Sequence, residues 1–304
     1  MGRTQHVVTT DLAGERADKV VAVVAGLSRA AARSLIDRGL VTVQGEPVDP
    51  KQRLVEGVEL DIEMPVLHRL EPEPIPLVVR YEDDHVAVVE KPAGMVVHPG
   101  AGRATGTLAA GLLARWPKVE GVGAADRWGI VHRLDREVSG LLVVALTEVA
   151  YEVLVASLAR RSVVRDYRAL VWGAFDAATG TIDAPIGRDS RSPARMATQV
   201  EGRPSRTHFR RTAYWSQADL SMLDVSLETG RTHQIRVHLA SIGHPVVGDR
   251  AYGRPGPPGI DPHRVWLHAA HLEFDHPVIH QKISVDSPLP EELHESLGAL
   301  GPPD

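Results

Sequence analysis

A proline-rich segment, MPVLHRLEPEPIP at residues 64–76, divides the 304-residue chain into a short and a long part. Proline fixes φ and lacks a backbone N–H, so such a segment continues neither a helix nor a central strand. We therefore predict a linker over residues 66–76, which joins a small domain at residues 11–65 to a larger domain at residues 77–290.

The small domain has the pattern of two helices followed by strands. RADKVVAVVAGL has apolar residues at helical spacing, and SRAAARSLIDRG is typical of a second helix with Ser28 as N-cap and Gly39 beyond its C-terminus. LVTVQGEPV and VELDIEM alternate as strands do, and the first turns at Gln44-Gly45. The second helix is expected to expose three arginines, Arg29, Arg33 and Arg38.

The larger domain mixes strand patterns with helix patterns. LVVRYEDDHVAVVEKP predicts a hairpin, and VVRDYRALVWG and SMLDVSLE predict strands. TLAAGLLARW, EVAYEVLVASLARR and THQIRVHLASIG predict helices. We expect the last helix to begin at a Thr232 cap and end at Gly243, with Ile235, Leu239 and Ile242 on one face. These patterns together predict an α+β fold.

Composition excludes several classes of protein. The chain has no cysteine, which rules out disulfides, thiolate catalysis and cysteine-ligated metals. It has no apolar run of membrane-spanning length and no secretory pattern at its N-terminus, so we expect a cytoplasmic protein without a membrane partner. Nucleotide-binding glycine loops and the G-x-S-x-G elbow are also missing. The 15 histidines do not show the spacing of a metal site, and structural or RNA-contacting roles are favoured.

Positive charge is concentrated in one segment although the net charge is −5. Residues 188–211 contain seven arginines against Asp189 and Glu201, a local net charge of +5. The arginines of this predicted basic loop are Arg188, Arg191, Arg195, Arg203, Arg206, Arg210 and Arg211. Arginine suits bidentate contacts with phosphate, so this segment is a candidate RNA-binding surface. A GC-rich genome would produce the same preference for arginine.

The segment VHRLDREVSG, residues 131–140, places Asp135 between Arg133 and Arg136. The uncharged run LLVVALT follows directly and predicts a buried strand. An aspartate in this position is more often a turn former or an ion-pair partner than a catalyst. Three further segments favour a catalytic role: EKPAGMVVHPG with its rigid turns, VVRDYRALVWG with Tyr167, and ETGRTHQIRVHLASIGHPVVGDRAYG with Arg231 and Arg236.

Together with WLHAAHLEFDHP, these segments closely resemble the RluA/RluD family of ribosomal RNA pseudouridine synthases over residues 75–285. Residues 16–64 separately resemble the S4-like RNA-binding domain that precedes the catalytic domain in many members. The resemblance implies a pseudouridine synthase fold with a mixed, mainly antiparallel central sheet, plus a small N-terminal α/β S4-like domain. It implies an isomerase that needs neither cofactor nor metal.

The resemblance also assigns roles to individual residues. Asp135 matches the family's catalytic aspartate, Arg236 its ion-pair partner, and Tyr167 the tyrosine that stacks on the target base. Arg133 matches the residue thought to take the place of the flipped base, and His132 is given a supporting role. The remaining RNA contacts are expected from Arg165, Arg29, Arg33, Arg188, Arg195 and Arg203.

The sequence departs from the family pattern in two places, and three functions remain open. Arg165 stands where members usually have lysine, and GRPSRTHF lacks the usual Lys-Ala, which puts substrate detail in question. We expect the protein to act as a monomer on large-subunit ribosomal RNA or its assembly intermediate, not on DNA. The alternatives are the same reaction on transfer RNA and a non-catalytic ribosome-assembly factor. A hydrolase has no organised motif behind it.

Overall fold

The chain folds into two units, Met1–Arg69 and Leu70–Asp304, in a computed structural model. The structure describes residues 2–27, 29–64, 70–99, 105–123, 127–192, 195–257, 260 and 264–304. Strand Gly2–Val7 lies ahead of the predicted domain start at residue 11, and helix Glu291–Gly298 lies beyond the predicted end at residue 290.

The first unit packs two helices against a small antiparallel sheet. Its elements are β1 (Gly2–Val7), α1 (Ala17–Val24), α2 (Arg29–Asp37), β2 (Val41–Val43), β3 (Glu46–Pro47) and β4 (Glu59–Met64), with strand order β1-β4-β2-β3. The predicted turn is confirmed, because Gln44 and Gly45 both have positive φ, 51° and 87°. Gly39 has φ 71° beyond α2, whereas the predicted cap Ser28 lies outside the described residues.

The second unit is built on a nine-stranded sheet. Its strands are β5 (Val78–Glu82), β6 (Val86–Lys91), β7 (Ser139–Ala145), β8 (Val164–Trp172), β9 (Thr179–Asp183), β12 (Arg206–Trp215), β13 (Leu220–Leu227), β14 (Leu267–Asp275) and β15 (Lys282–Asp286). A separate pair consists of β10 (Ile186–Arg188) and β11 (Met196–Thr198). The helices are α3 (Leu108–Arg115), α4 (Glu148–Ala159), α5 (Gln234–Ser241) and α6 (Glu291–Gly298).

The predicted sheet type is confirmed. The strand order is β5-β6-β7-β14-β8-β13-β12-β9, with β15 paired to β14. Of these pairings, β7 with β14 is parallel and the others are antiparallel. Since most strands are antiparallel neighbours and helices are added to them, the fold is α+β with a mixed, mainly antiparallel sheet.

The uncharged run before α4 is explained by burial on both faces of the sheet. All seven residues of β7 are buried, and successive side chains point to opposite faces. Leu142 and Val144 join the core cluster that contains α3, whereas Leu141 and Val143 join the cluster that contains α4. A charged side chain on either face would lose its water. The segment before β7 is therefore attached to a rigid strand.

Residues 70–76, the described part of the predicted linker, contact α3 and its N-terminal turn. Leu70 is buried in the core of the second unit. The backbone N–H of Glu73 donates to Ala110 O at 3.1 Å, and the Glu73 carboxylate accepts from the N–H of Gly106 at 2.9 Å. This part of the proline-rich segment is fixed to the second unit.

The prediction for the start of α5 is wrong. The N-cap is His233, in the left-handed conformation with φ 57°, rather than Thr232. The preceding turn is closed from inside the helix, because Gln234 Oε1 accepts the N–H of Arg231 at 3.0 Å. Ile242 is also misplaced by the prediction: it follows the last helical residue and is 41% exposed, whereas Ile235 and Leu239 are buried.

The segment 188–211 is not the loop that the sequence predicts. It contains β11 and the beginning of β12, and Arg206 and Arg210 lie in β12. Arg206 pairs with Asp183 at 2.6 Å, and Arg210 pairs with Asp224 at 2.5 Å. Cross-strand acids therefore offset part of the positive charge that the local sequence suggests.

Gly140 allows the parallel pairing of β7 with β14. It has φ 117°, and a Cβ at this position would lie 2.2 Å from the carbonyl oxygen of Ala269, its partner in the register. We expect Gly140→Ala to lower the free energy of unfolding by about 2–3 kcal/mol, from backbone strain and overpacking. Urea unfolding measures this effect. Gly298→Ala is the control, since an added Cβ meets nothing within 4 Å. Equal stability of both variants would contradict the prediction.

Candidate active site

Asp135 lies in a turn that leads into β7. The N–H of Val138 donates to Asp135 O at 3.1 Å, and β7 begins one residue later. The turn is held from the other side by Lys91, which is fully buried at the end of β6. The Lys91 ammonium donates to the carbonyl oxygens of Pro92, Met95 and Arg136 at 2.8, 3.0 and 3.1 Å. One buried side chain thus connects the turn of EKPAGM to the residue after Asp135.

Burial, together with the nearby charge of Arg264, lowers the pKa of Lys91 to about 7. The carboxylates of Asp135 and Glu137 oppose this shift. The three carbonyl acceptors suit the three N–H donors of an ammonium group. Lys91 therefore braces the turn through its three hydrogen bonds.

Arg236 is the centre of a buried ion-pair network. Its Nη1 donates to Asp135 Oδ2 at 3.0 Å, while Nε and Nη2 donate to the two carboxylate oxygens of Asp249 at 2.7 and 2.9 Å. Asp249 has no exposed surface, and the Asp135 side chain keeps 17% of its own. The bidentate pair with Asp249 fixes the guanidinium plane, so the remaining Nη1 is directed at Asp135.

The charges of this network support one another. Burial alone would raise the pKa of Asp249, but the hydrogen bonds and charge of Arg236 outweigh it and hold that pKa below its ordinary value. Asp249 Oδ1 also accepts the N–H groups of Ala251 and Tyr252, at 2.9 and 3.1 Å. Burial likewise opposes the charge of Arg236, yet Asp249 and then Asp135 raise its pKa. Both partners remain ionised, and Arg236 is a permanent cation beside Asp135.

β8 carries Tyr167, the third predicted catalytic residue. The residue is 6% exposed, and it pairs with Val225 of β13 and Ala269 of β14 in the centre of the sheet. Burial raises its pKa to about 12, and the charge of Arg165 opposes this shift. Its hydroxyl is therefore protonated at neutral pH.

A cavity of about 470 Å³ brings the predicted site residues together. It is lined by Asp135, Tyr167, Arg236, Arg133 and Arg165, among others. These residues come from three separate sequence segments, which meet at the ends of β7, β8 and α5. The cavity is large enough for a nucleoside-sized group and is bordered by several cations.

His233 also lines the cavity and contacts Tyr252. His233 Nε2 lies 3.9 Å from Asp135 Oδ2, and its Nδ1 is 2.7 Å from the Tyr252 hydroxyl. Burial lowers the pKa of His233, although the charge of Asp135 opposes the shift. The guanidinium of Arg236 lies over the Tyr252 ring at 5.1 Å from its centroid. These contacts restrict the orientation of both Arg236 and His233.

The other predicted RNA-binding arginines lie outside the cavity. Arg188, Arg195 and Arg203 are exposed, and the Arg195 guanidinium lies over the Tyr252 ring at 5.1 Å. Arg29 and Arg33 belong to the first unit, where they pair with Asp18 at 3.0 Å and Asp37 at 3.5 Å. Their side chains nevertheless keep more than half of their exposure, 59% and 54%.

Sequence reasoning missed Asp249, Tyr252 and the bracing function of Lys91. A signal was present for Asp249, because an acid follows Arg236 in the same motif, within GHPVVGDRAYG.

His132, predicted to support Arg133, accepts the N–H of Val143 through Nε2 at 3.1 Å. Burial lowers its pKa to about 3, so the ring is neutral and holds its own loop against β7.

Several other histidines also have partners within the protein. His238 contacts Thr207 Oγ1 and Ala184 O, both at 2.9 Å, and His268 contacts Ser139 Oγ at 2.8 Å. Over the residues that the structure describes, no three His, Cys, Asp or Glu side chains are grouped so that they could hold a metal ion. Within the same residues, no helix combines the length and apolar character needed to cross a membrane.

The models of two known protein families match this chain, one in each unit. The sequence model of the RNA pseudouridylate synthase family matches residues 85–241, and that of the S4 domain matches residues 15–60. The chain belongs to this family and carries an S4 domain ahead of the catalytic unit.

Two curated relatives match nearly the whole chain. The uncharacterized RNA pseudouridine synthase YlyB of Bacillus subtilis is 39% identical, with 99% of each chain covered. Ribosomal large subunit pseudouridine synthase D of Zymomonas mobilis is 41% identical, with 96% of each chain covered. Among solved structures, human RNA pseudouridylate synthase domain containing 1 is 28% identical with a TM-score of 0.56, and covers 75% of this chain and 97% of its own.

Proposed function

We propose that this protein converts specific uridines of large-subunit ribosomal RNA to pseudouridine, with Asp135 as the nucleophile. The observation that carries the proposal is the contact of Arg236 with Asp135 at 3.0 Å, inside a cavity that Tyr167 also lines. A non-catalytic RNA-binding factor would gain nothing from a buried ion-pair network directed at one carboxylate.

The reaction breaks the bond between N1 of uracil and C1′ of ribose, rotates the base and joins C5 to C1′. It involves neither redox change nor hydrolysis, so the chemistry itself calls for no cofactor. A carboxylate in the cavity has three possible actions: it attacks C1′, adds to the uracil ring or removes a ribose proton. In each of them the carboxylate must be ionised and directed. Arg236 supplies both conditions, because an adjacent guanidinium favours the charged form and fixes its direction.

Arg133 and Tyr167 are proposed to handle the target base. A base must leave its stack before it can reach a carboxylate inside the cavity, at a cost of a few kcal/mol. Arg133 is exposed two residues before Asp135, where it is positioned to fill the gap or to hold a phosphate. The flat ring of Tyr167 is suited to stack on the uracil, and its protonated hydroxyl to relay the C5 proton, taking it up while its own proton passes to an acceptor.

The remaining basic residues are proposed to position the RNA through its phosphates. The exposed arginines Arg29 and Arg33 of the S4 domain belong to this group, together with Arg188, Arg195 and Arg203 of the second unit. Large-subunit RNA is favoured because full-length relatives are named for that substrate. We further propose that the protein acts in the cytoplasm as a monomer, on RNA rather than DNA.

Tritium release tests the proposed function. Ribosomal RNA carrying tritium at C5 of uridine, taken from cells that lack this gene, is incubated with the protein. Each isomerisation expels the C5 hydrogen, so we expect tritium in water with large-subunit RNA and none with transfer RNA. Release from transfer RNA alone would support the proposed reaction but show that transfer RNA is the substrate. Tight binding without release from any RNA would contradict the enzyme and favour an assembly factor.

The hydroxyl of Tyr167 gives a separate prediction. With its pKa raised to about 12, the hydroxyl is protonated throughout the usual assay range. We therefore expect Tyr167→Phe to lower the single-turnover rate about 10²-fold, as for loss of an acid–base group. The factor should be the same at every pH from about 7 to 10. A factor that shrinks across this range would mean that Tyr167 ionises there. Full activity of the variant would leave only the ring with a function.

A further inference from the structure

Arg165 is a buried cation with few partners. The residue is 8% exposed, and its Nη2 donates to Leu227 O across a long 3.4 Å. Over the described residues its Nε has no hydrogen-bond partner, and no carboxylate lies within ion-pair distance of its guanidinium. Arg236 in the same cavity has two carboxylates. An unpaired buried charge is costly, so an arginine kept in this state calls for a partner from outside the protein.

The placement of Arg165 indicates which group of the substrate it meets. Arg165 and Tyr167 are two residues apart on β8, so both side chains point to the face that the cavity occupies, with Arg168 on the opposite face. Gly230 leaves room for the guanidinium, since a Cβ there would lie 2.8 Å from Arg165 Nη1. A base stacked on Tyr167 would therefore have a guanidinium beside it.

The proposed reaction creates negative charge on that base. When the N1–C1′ bond breaks, its electron pair stays with uracil, and the charge spreads from N1 to the two carbonyl oxygens. The electron-deficient C1′ either bonds to the Asp135 carboxylate or is relieved by loss of the C2′ proton to it. When C5 then bonds to C1′, the bond from C1′ to Asp135 breaks in the first course, and Asp135 returns the proton to C2′ in the second. The C5 proton then leaves and N1 takes up a proton. In both courses uracil is an anion between the two bond changes.

We propose that Arg165 is a catalytic residue, whose guanidinium donates hydrogen bonds to a carbonyl oxygen of the detached uracil and stabilises its negative charge. The inference rests on the proposed function. Fixed donors in a site with little water stabilise developing charge without reorganising at the moment of reaction. A guanidinium that lines the cavity and has no carboxylate partner among the described residues is what such a site requires.

The test compares two substrates that differ in how readily uracil carries charge. One RNA contains uridine at the modified site and the other contains 5-fluorouridine, whose fluorine makes the departing base a more stable anion. Single-turnover loss of the original nucleoside at saturating RNA is followed by mass spectrometry of digests. The variants are Arg165→Met and Arg165→Lys. Arg168→Met is the control, because it removes the same charge from the opposite face of the same strand, where Arg168 pairs with Asp224.

We expect Arg165→Met to slow the reaction of uridine about 10²-fold, the usual effect of losing one such donor. The reaction of 5-fluorouridine should be slowed by a clearly smaller factor. Arg165→Lys should lie between Met and wild type, and Arg168→Met should match wild type. Equal factors for both substrates, or an effect confined to the RNA concentration at half-saturation, would overturn the proposal and indicate a phosphate contact. If Arg165→Met fails to fold, the comparison is made with Arg165→Lys. A wild-type protein inactive on every RNA would instead remove the proposed function and this inference with it.

Discussion

Replacing Asp135 with asparagine is expected to reduce the single-turnover rate by at least about 10⁴-fold, the scale of losing a nucleophile. Asparagine keeps the shape and one oxygen acceptor, so Arg236 is still held by its bidentate pair with Asp249. What it loses is the negative charge that attacks the ribose or the base, or removes a proton. Tritium release with saturating protein measures the effect.

The variant's controls separate chemistry from folding and binding. RNA affinity and the thermal unfolding midpoint should stay close to wild type, because the Asp135 side chain is partly exposed and Asp249 still compensates Arg236. Glu137→Gln removes an acid from the same turn, where Glu137 pairs with the exposed Arg136 at 3.2 Å, and should retain activity. Activity of Asp135→Asn above one-hundredth of wild type would contradict the assignment.

Asp249→Asn is expected to have the largest effect on stability, a loss of about 3–5 kcal/mol in the free energy of unfolding. Arg236 would then remain buried without its bidentate partner, held by Asp135 alone. The activity should also fall, since nothing else fixes the plane of the guanidinium. Chemical denaturation measures the stability, and single-turnover assays on the folded fraction measure the activity.

The pH dependence gives a second readout of the same pair. The pKa of Asp249 is lowered in the folded protein, so its contribution is fully present above the ordinary value and is lost as pH falls through the folded value. The wild type should lose this stability in acid and Asp249→Asn should not. Asp224→Asn, which breaks partly exposed pairs with Arg168 and Arg210, should cost no more than about 1 kcal/mol. Equal losses for Asp224→Asn and Asp249→Asn would contradict the account.

The main elements and the centre of the site were predictable because local pattern and motif agree there. The uncharged run after Asp135 indicated a buried strand, and β7 is buried along its whole length. The segments that carry Asp135, Tyr167 and Arg236 were expected to meet, and the cavity contains all three. The strand follows from its own residues, whereas the meeting of the three segments followed from the family resemblance.

The rest depends on contacts between distant residues. The start of α5 was misplaced because the Gln234 side chain closes the turn, which a preference for threonine caps does not reveal. The segment 188–211 looked like a free basic loop, but the acids that pair with Arg206 and Arg210 lie on other strands. That Arg165 Nε has no hydrogen-bond partner among the described residues is also visible only when its surroundings are known.

The most direct test of the central claim is a map of pseudouridine in large-subunit ribosomal RNA from cells that lack this gene. The deletion strain carries an empty vector, the wild-type gene or the Asp135→Asn variant at matched protein levels. We predict that one or more pseudouridines disappear on deletion, return with the wild type and stay absent with Asp135→Asn. An unchanged map after deletion, or full restoration by Asp135→Asn, would contradict the account.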